Sequence, residues 1–200
     1  MSTNSPTNSP SQTAARRPRG AAQVVVAVIA GPDAPPWVGE MRIGQRWRRL
    51  TPLAHWSTVA IRDASPEQIL HGVAAERARR DVQAGRLILL AEGMAGRAAL
   101  ELVLRGALDC AGIVAIAVPC AALPFRIAST SVPVRIVVQR EHGEDAPDDL
   151  ISALRAADID ARIIRLNPAA VLDPRTAVNA AETFVLELVA HASRQGRHGV

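Results

Sequence analysis

Cys120, His142 and Asp145 supply a thiol, an imidazole and a carboxylate, the groups a cysteine hydrolase needs as nucleophile, base and orienter. Glu141 and Glu144 flank that histidine in the run Glu141-His142-Gly143-Glu144-Asp145. The same residues have a plainer reading, since a cysteine at a strand end is commonly a small buried hydrophobe and an acidic loop with one histidine is commonly solvated. No feature of the sequence activates the thiol.

The second constellation is Leu89-Leu90-Ala91-Glu92-Gly93-Met94-Ala95-Gly96, in which a buried strand runs through a sharp turn of small residues into a helical stretch from Arg97 to Leu104. That is the shape of a nucleophile elbow, whose apex residue is held in a strained backbone conformation so that its side chain stands above a sheet. Gly93 can take the apex at no steric cost, and Ala91 and Ala95 meet the need for small residues two positions to either side. Glu92, beside the apex, either lines a pocket or faces the positive end of the helix as a cap. Arg97, one turn in, either pairs with Glu92 or an anion or stands in solvent. Met94 is expected beneath the turn. Gly93 and Gly96 could also cradle a phosphate at a helix N-terminus. The dinucleotide fingerprint is incomplete, however, because Ala91 replaces its first glycine.

The elements that must position these residues alternate between apolar runs of strand length and stretches of helical period, the pattern of a parallel sheet covered by helices on both faces. Six strands are predicted: Gln23 to Ala30, Ser57 to Ile61, Arg86 to Leu90, Gly112 to Val118, Val134 to Val138 and Ala161 to Leu166. Their continuous Val, Ile and Leu content implies burial on both faces. Ser65, Pro66 and Gln68 read as the N-cap, first position and capping-box partner of a helix over 67–84 that Gly85 would end. Its expected inner stripe is Leu70, Ala74, Ala78 and Val82, with Glu76, Arg77, Arg79, Arg80 and Asp81 on the wet side. Further helices are expected after residue 147, opened by Asp148-Asp149 and burying Leu150, Ile151 and Leu154, and from Asp173-Pro174, with Val178, Ala181, Val185, Leu188 and Val189 facing the sheet. Residues 1–20, rich in Ser, Thr and Pro, read as a disordered tail, 21–192 as one domain and 193–200 as a flexible end.

With this order of elements and this turn, the sequence resembles the α/β-hydrolase superfamily, of the small carboxylesterase and thioesterase kind. The superfamily's common pattern at the turn is leucine-valine-glycine-histidine-serine-methionine-glycine-glycine, which laid on Leu89 to Gly96 puts Gly93 where the serine belongs. Val24 to Gly31 resembles the strand leading into the oxyanion loop, and Trp37 and Trp47 to Leu50 the helix that follows. Val118-Pro119 with Leu123-Pro124 resembles the segment after the sixth strand of those relatives. Val132 to Val138 resembles the strand that delivers the acid. The resemblance implies a mostly parallel six-stranded α/β sheet with no large lid.

It also implies a serine, histidine and acid that this chain does not supply in the matching places. Gly93 has no side chain, and the segment from Asn167 to Asp173, where the histidine should follow the last strand, holds none. His191 and His198 come a full helix too late. Gly31 is followed by Pro32, which has no N–H to offer an oxyanion, whereas Asp33 has one.

Composition narrows the function further. All 23 basic side chains are arginine, no tyrosine occurs, and the sequence pI is about 10.7. Without Arg16, Arg17 and Arg19 the remaining 20 basic and 19 acidic side chains leave a body charge of +1. With five aromatic residues (Trp37, Trp47, Trp56, Phe125, Phe184) there is neither the basic cluster nor the stacking platform of a nucleic-acid groove. Cys110 and Cys120 bracket a strand, so they stand too far apart to form a disulfide. Two isolated thiols point to a reducing compartment and to no metal site. Arg16 to Arg19 followed by Val24 to Ile29 has the outline of a secretory signal, but the apolar run is short and its removal would delete the first strand. The expectation is a cytoplasmic protein with no cofactor and no membrane span. It is read as a non-catalytic hydrolase-like module that binds a small apolar or acyl ligand or a protein partner, with homo-oligomers open. The alternative is an active ester or thioester hydrolase built on Cys120, His142 and Asp145.

Overall fold

The apolar runs form six parallel strands because each can be covered on both faces by helices that the intervening sequence supplies. The structure, a computed structural model, describes residues 23–31, 41–139, 149–166 and 174–195. Its strands are β1 (Val24–Ala30), β2 (Ala54–Ala60), β3 (Leu87–Glu92), β4 (Gly112–Ile116), β5 (Val134–Gln139) and β6 (Ala161–Leu166). The helices are α1 (Met41–Leu50), α2 (Pro66–Arg80), α3 (Gly93–Leu104), α4 (Asp149–Ala156) and α5 (Pro174–Gln195). The sheet order is β2-β1-β3-β4-β5-β6, with every neighbouring pair parallel.

Alternate residues of each strand feed two separate cores. On one face Val25, Leu89, Ile113 and Ile136 pack with Ile69 of α2, Leu100 of α3 and Leu150 of α4. On the other Val26, Leu90, Val114 and Val137 pack with Trp47 of α1 and with Phe184, Val185 and Leu188 of α5. The chain leaves β1 for β2 on one side and leaves β3 for β4 on the other. The carboxyl ends of β1 and β3 therefore flank the topological switch point, where a crevice opens in sheets of this kind.

Several expected boundaries move. Strand β2 begins at Ala54 rather than Ser57, and β4 stops at Ile116 rather than Val118 because Ala117 turns the chain with φ +49°. Helix α2 ends at Asp81, which takes the left-handed cap at φ 50°, so Gly85 falls in a short 3-10 turn (Ala84–Arg86) instead of closing the helix. Aspartate tolerates that conformation better than most residues. The buried residues of α2 are Ile69, Val73 and Glu76; of the expected stripe Leu70 and Val82 pack partly buried against the same core, while Ala74 and Ala78 are exposed. Ser65 is the N-cap but makes no side-chain capping bond; Gln68 instead donates to Asp63 and accepts from the Arg62 N–H.

The buried Glu76 is compensated. Burial opposes its charge, yet hydrogen bonds from Arg79 and Arg80 outweigh that and hold its carboxyl below the usual range. A second buried charge, Arg135 on β5, donates to Glu187 of α5 at 2.7 Å and to Asp160 at 3.3 Å. Both networks lie towards the amino ends of the strands, away from the switch point.

Candidate functional site

The elbow forms where β3 meets α3, and three residues make it possible. Gly93 is the first residue of α3 and has φ +55°, the left-handed conformation that an apex needs and that a side chain resists. Gly96 brings the helix down onto the strand: a Cβ there would stand 2.9 Å from the Ala91 carbonyl oxygen and 3.0 Å from Val118 Cγ1. Ala91 and Ala95 are buried at the same junction. The sequence argument placed the small-residue demand on the two alanines; the tightest approach belongs to Gly96.

A Cβ built on Gly93 would have no atom of the described residues within 4 Å. Gly31, at the end of β1, is equally unobstructed. Glu92 occupies the N-cap position with extended backbone, and its side chain makes no capping hydrogen bond to the helix. Met94 does not pack beneath the turn. It is 64% exposed, because α3 starts at Gly93 itself and turns Ala95 and Gly96, not Met94, towards the sheet. As a first-turn residue its N–H has no intrahelical acceptor.

Arg97 departs from both readings offered for it. It is 7% exposed, and its guanidinium donates to the carbonyl oxygens of Pro119 and Ala121 at 2.8 Å and of Ala122 at 3.0 Å, with Glu101 at 2.7 Å. An arginine fork is suited to several acceptors at once, and here it pins the segment that leaves β4. It is a structural tie, not an anion site.

Ala117 was not expected at all, since nothing in an alanine marks a left-handed position. Glu92 pairs with Ile116, so Gly93 and Ala117 are the residues on which two neighbouring strands turn away, at φ +55° and +49°. Its N–H donates to the Val137 carbonyl at 2.7 Å, which holds the strained residue in place.

Cys120 is partly buried against the apolar core on the α3 side, with its Sγ 3.8 Å from the Val118 carbonyl oxygen and its own carbonyl accepting from the Leu150 N–H at 3.2 Å. That placement matches a packing role. Cys110 is buried, and burial pushes its thiol up to about 12. His142, Asp145, Glu141, Glu144, Pro32 and the segment 167–173 lie outside the described residues. Among the described residues no three His, Cys, Asp or Glu side chains gather in a way that could hold a metal ion, and no helix is long and apolar enough to cross a membrane.

No protein-family model matches the chain, and no curated protein matches it. Solved structures do. Esterase PE8 superposes with TM-score 0.60 at 20% identity, covering 84% of this chain and 94% of its own. An arylesterase gives TM-score 0.61 at 12% identity, covering 86% and 77%. The structure of YahD with malic acid gives 0.58 at 13% identity, covering 82% and 94%. At these identities the likeness is one of fold: the chain has the α/β-hydrolase fold seen in esterases, with an open parallel sheet.

Proposed function

We propose that this α/β-hydrolase-fold chain is a non-catalytic binding module that uses the open crevice at the carboxyl ends of β1, β3 and β4. The observation that carries the reading is Gly93. The backbone at that point adopts the left-handed apex of an elbow, and among the described residues nothing fills the space a side chain would use, yet the residue brings no hydroxyl. Ester hydrolysis by this architecture needs an oxygen nucleophile at the apex, a histidine to take its proton, an acid to orient that histidine, and donors for the oxyanion. The first is absent at Gly93, and the sequence offers no histidine between Asn167 and Asp173.

What the crevice retains is suited to binding. The first-turn N–H groups of α3 point at it, and Met94 exposes an apolar side chain beside it. A small apolar or acyl ligand fits that mixture of exposed thioether and helix-terminal amides without intrahelical acceptors, as does an apolar residue of a protein partner.

The reading is tested with chromogenic short-chain esters and with the Gly93→Ser variant. Neither protein is expected to turn over, because a serine without its base is a poor nucleophile. Multiple turnover by the wild type, or efficient turnover by the single variant, would overturn the proposal. A thermal-shift screen of fatty acids and acyl thioesters then sorts ligand from partner, since a ligand specific to the folded state raises its melting temperature.

A further inference from the structure

Among the described residues three large apolar side chains stand exposed: Met94 at the crevice, and Leu50 and Leu53, which are 46% and 64% exposed where α1 meets β2. The two leucines sit on an ordered base. The Ala54 N–H donates to the Thr51 carbonyl at 2.9 Å, closing a β-turn with Pro52 and Leu53 exposed at its tip. Thr51 is buried; its hydroxyl donates to the Trp47 carbonyl at 2.7 Å and accepts from the Trp56 indole N–H at 2.9 Å. The rings of Trp47 and Trp56 pack 5.5 Å apart behind it. A buried threonine and two tryptophans thus hold an apolar tip out in water. Scattered exposed leucines are ordinary, but an apolar tip fixed in this way is what a contact surface presents.

Charge gathers round that tip from segments distant in the sequence. Arg48 and Arg49 end α1, and Arg79 and Arg80 end α2, which runs back from the carboxyl end of β2 to its amino end. All four are exposed. His55, the second residue of β2, has Arg48, Arg79 and Arg80 as charged neighbours, so both helix ends stand beside the start of the strand. The carboxylate among them is Glu76, buried and bonded to Arg79 and Arg80. Four guanidinium groups against that one carboxylate leave a local charge of +3, whereas the whole chain beyond residue 20 sums to +1. Two further arginines leave the balance unchanged: Arg46 pairs with Glu182 at 2.8 Å, and Arg77 lines the same surface hollow as Asp81.

An apolar tip beside a cluster of cations fits an anionic lipid surface. The leucines enter the boundary of the acyl chains while the guanidinium groups stay at the phosphates, where a planar fork takes two oxygens at once. The arginine pairs come from helices on opposite faces of the sheet, with β2 between them. A broad negative plane meets both pairs together, which a narrow acidic segment of a protein does not. Nucleic acid offers the same phosphates but gives the leucines nothing to enter.

We propose that the turn between α1 and β2 is a peripheral docking site for an anionic bilayer, with Leu50 and Leu53 entering the interface and Arg48, Arg49, Arg79 and Arg80 meeting lipid phosphates. Such attachment is reversible and needs no spanning segment. The surface lies at the amino end of β2, at the other end of the sheet from the Gly93 crevice, and stands or falls independently of the reading given for that crevice.

Vesicle co-sedimentation of the full chain tests it, with vesicles of equal parts phosphatidylglycerol and phosphatidylcholine set against phosphatidylcholine alone. The wild type is expected to bind the anionic vesicles about tenfold or more tightly, and to release as added salt screens the attraction. Leu50→Ser combined with Leu53→Ser is expected to weaken that binding by about tenfold or more, with an unchanged circular-dichroism spectrum; if the double variant fails to fold, Leu53→Ser alone decides. Arg48→Glu combined with Arg49→Glu is expected to weaken it by at least as much. The leucine variant keeps every charge and the arginine variant keeps Arg16, Arg17 and Arg19, so neither loss belongs to those three residues. A wild type that ignores anionic vesicles would overturn the proposal and leave the surface to an acidic protein partner. Binding undiminished by loss of the leucines would overturn it too, as mere attraction of a basic chain.

Discussion

Gly96 rests on the carbonyl oxygen of Ala91, so closely that a single methyl group on Gly96 would come within 2.9 Å of it. This contact sets how sharply β3 turns into α3 and therefore where Gly93 stands. Gly96→Ala is expected to destabilise the fold by about 1–3 kcal/mol, the usual cost of overpacking a junction that backbone atoms enclose. Urea denaturation measures it. Gly93→Ala meets open space instead, so its cost is confined to the left-handed backbone, about 1–2 kcal/mol.

Arg97 ties the carbonyls of Pro119, Ala121 and Ala122 to α3, and losing it releases the segment that carries them. Arg97→Met is expected to cost about 2–4 kcal/mol. Arg97→Lys recovers only a fraction, since an ammonium cannot span the same fork of acceptors. The local signature is faster alkylation of Cys120 by iodoacetamide, because Cys120 sits inside the tied segment, between Pro119 and Ala121. Unchanged alkylation in a destabilised Arg97→Met protein would show that the tie does not hold that segment.

Arg135 is buried on β5, while its partners Glu187 and Asp160 are partly solvated. Arg135→Met should therefore cost less than a fully enclosed pair would, about 2–3 kcal/mol at neutral pH. The Arg135 guanidinium holds the Glu187 carboxyl below its usual range. A depressed carboxylate contributes stability above its unfolded pKa and loses it as the pH falls. The difference between wild type and variant is thus expected to narrow on acidification through the carboxylate range, in denaturation curves recorded at several pH values.

His55 on β2 lies near Arg80, Arg79 and Arg48 as well as Glu76. Burial, then the arginines, lower its pKa from the ordinary 6.5, against the opposing pull of Glu76. The unfolded chain binds the proton more readily, so stability rises with pH across the interval between the folded value and 6.5 and is lost as the pH falls through it. His55→Asn is expected to flatten the melting temperature over that interval. A variant with the wild-type slope would assign the dependence to another group.

The strands were legible in the sequence because parallel strands buried on both faces need apolar runs, and β1, β3 and β4 have them; β5 and β6 were found from shorter runs, broken by Arg135 and by the exposed Arg162 and Arg165. Strand β2 was shortened in that reading because Ala54, His55 and Trp56 do not form such a run; an edge strand does not require one. The stripe of α2 was found only in part, through Leu70 and Val82. Glu76 was assigned to solvent by its charge, whereas Arg79 and Arg80 neutralise it under the helix. Gly93 and the elbow could be found because small residues leave a signature. Ala117 could not, since its left-handed backbone is imposed by tertiary contact through the Val137 carbonyl. Arg97 was left between a partner such as Glu92 or an anion and solvent because one sequence shows a charge and not the three carbonyls that come to meet it.

The most direct test of the vacant apex is the intact mass of the purified protein after incubation with a fluorophosphonate probe, which phosphonylates an activated serine. The account predicts a single unmodified mass near 21.2 kDa at every time point. A stoichiometric adduct, mapped to any serine of this chain, would contradict it by revealing a nucleophile and base that the geometry around Gly93 does not supply.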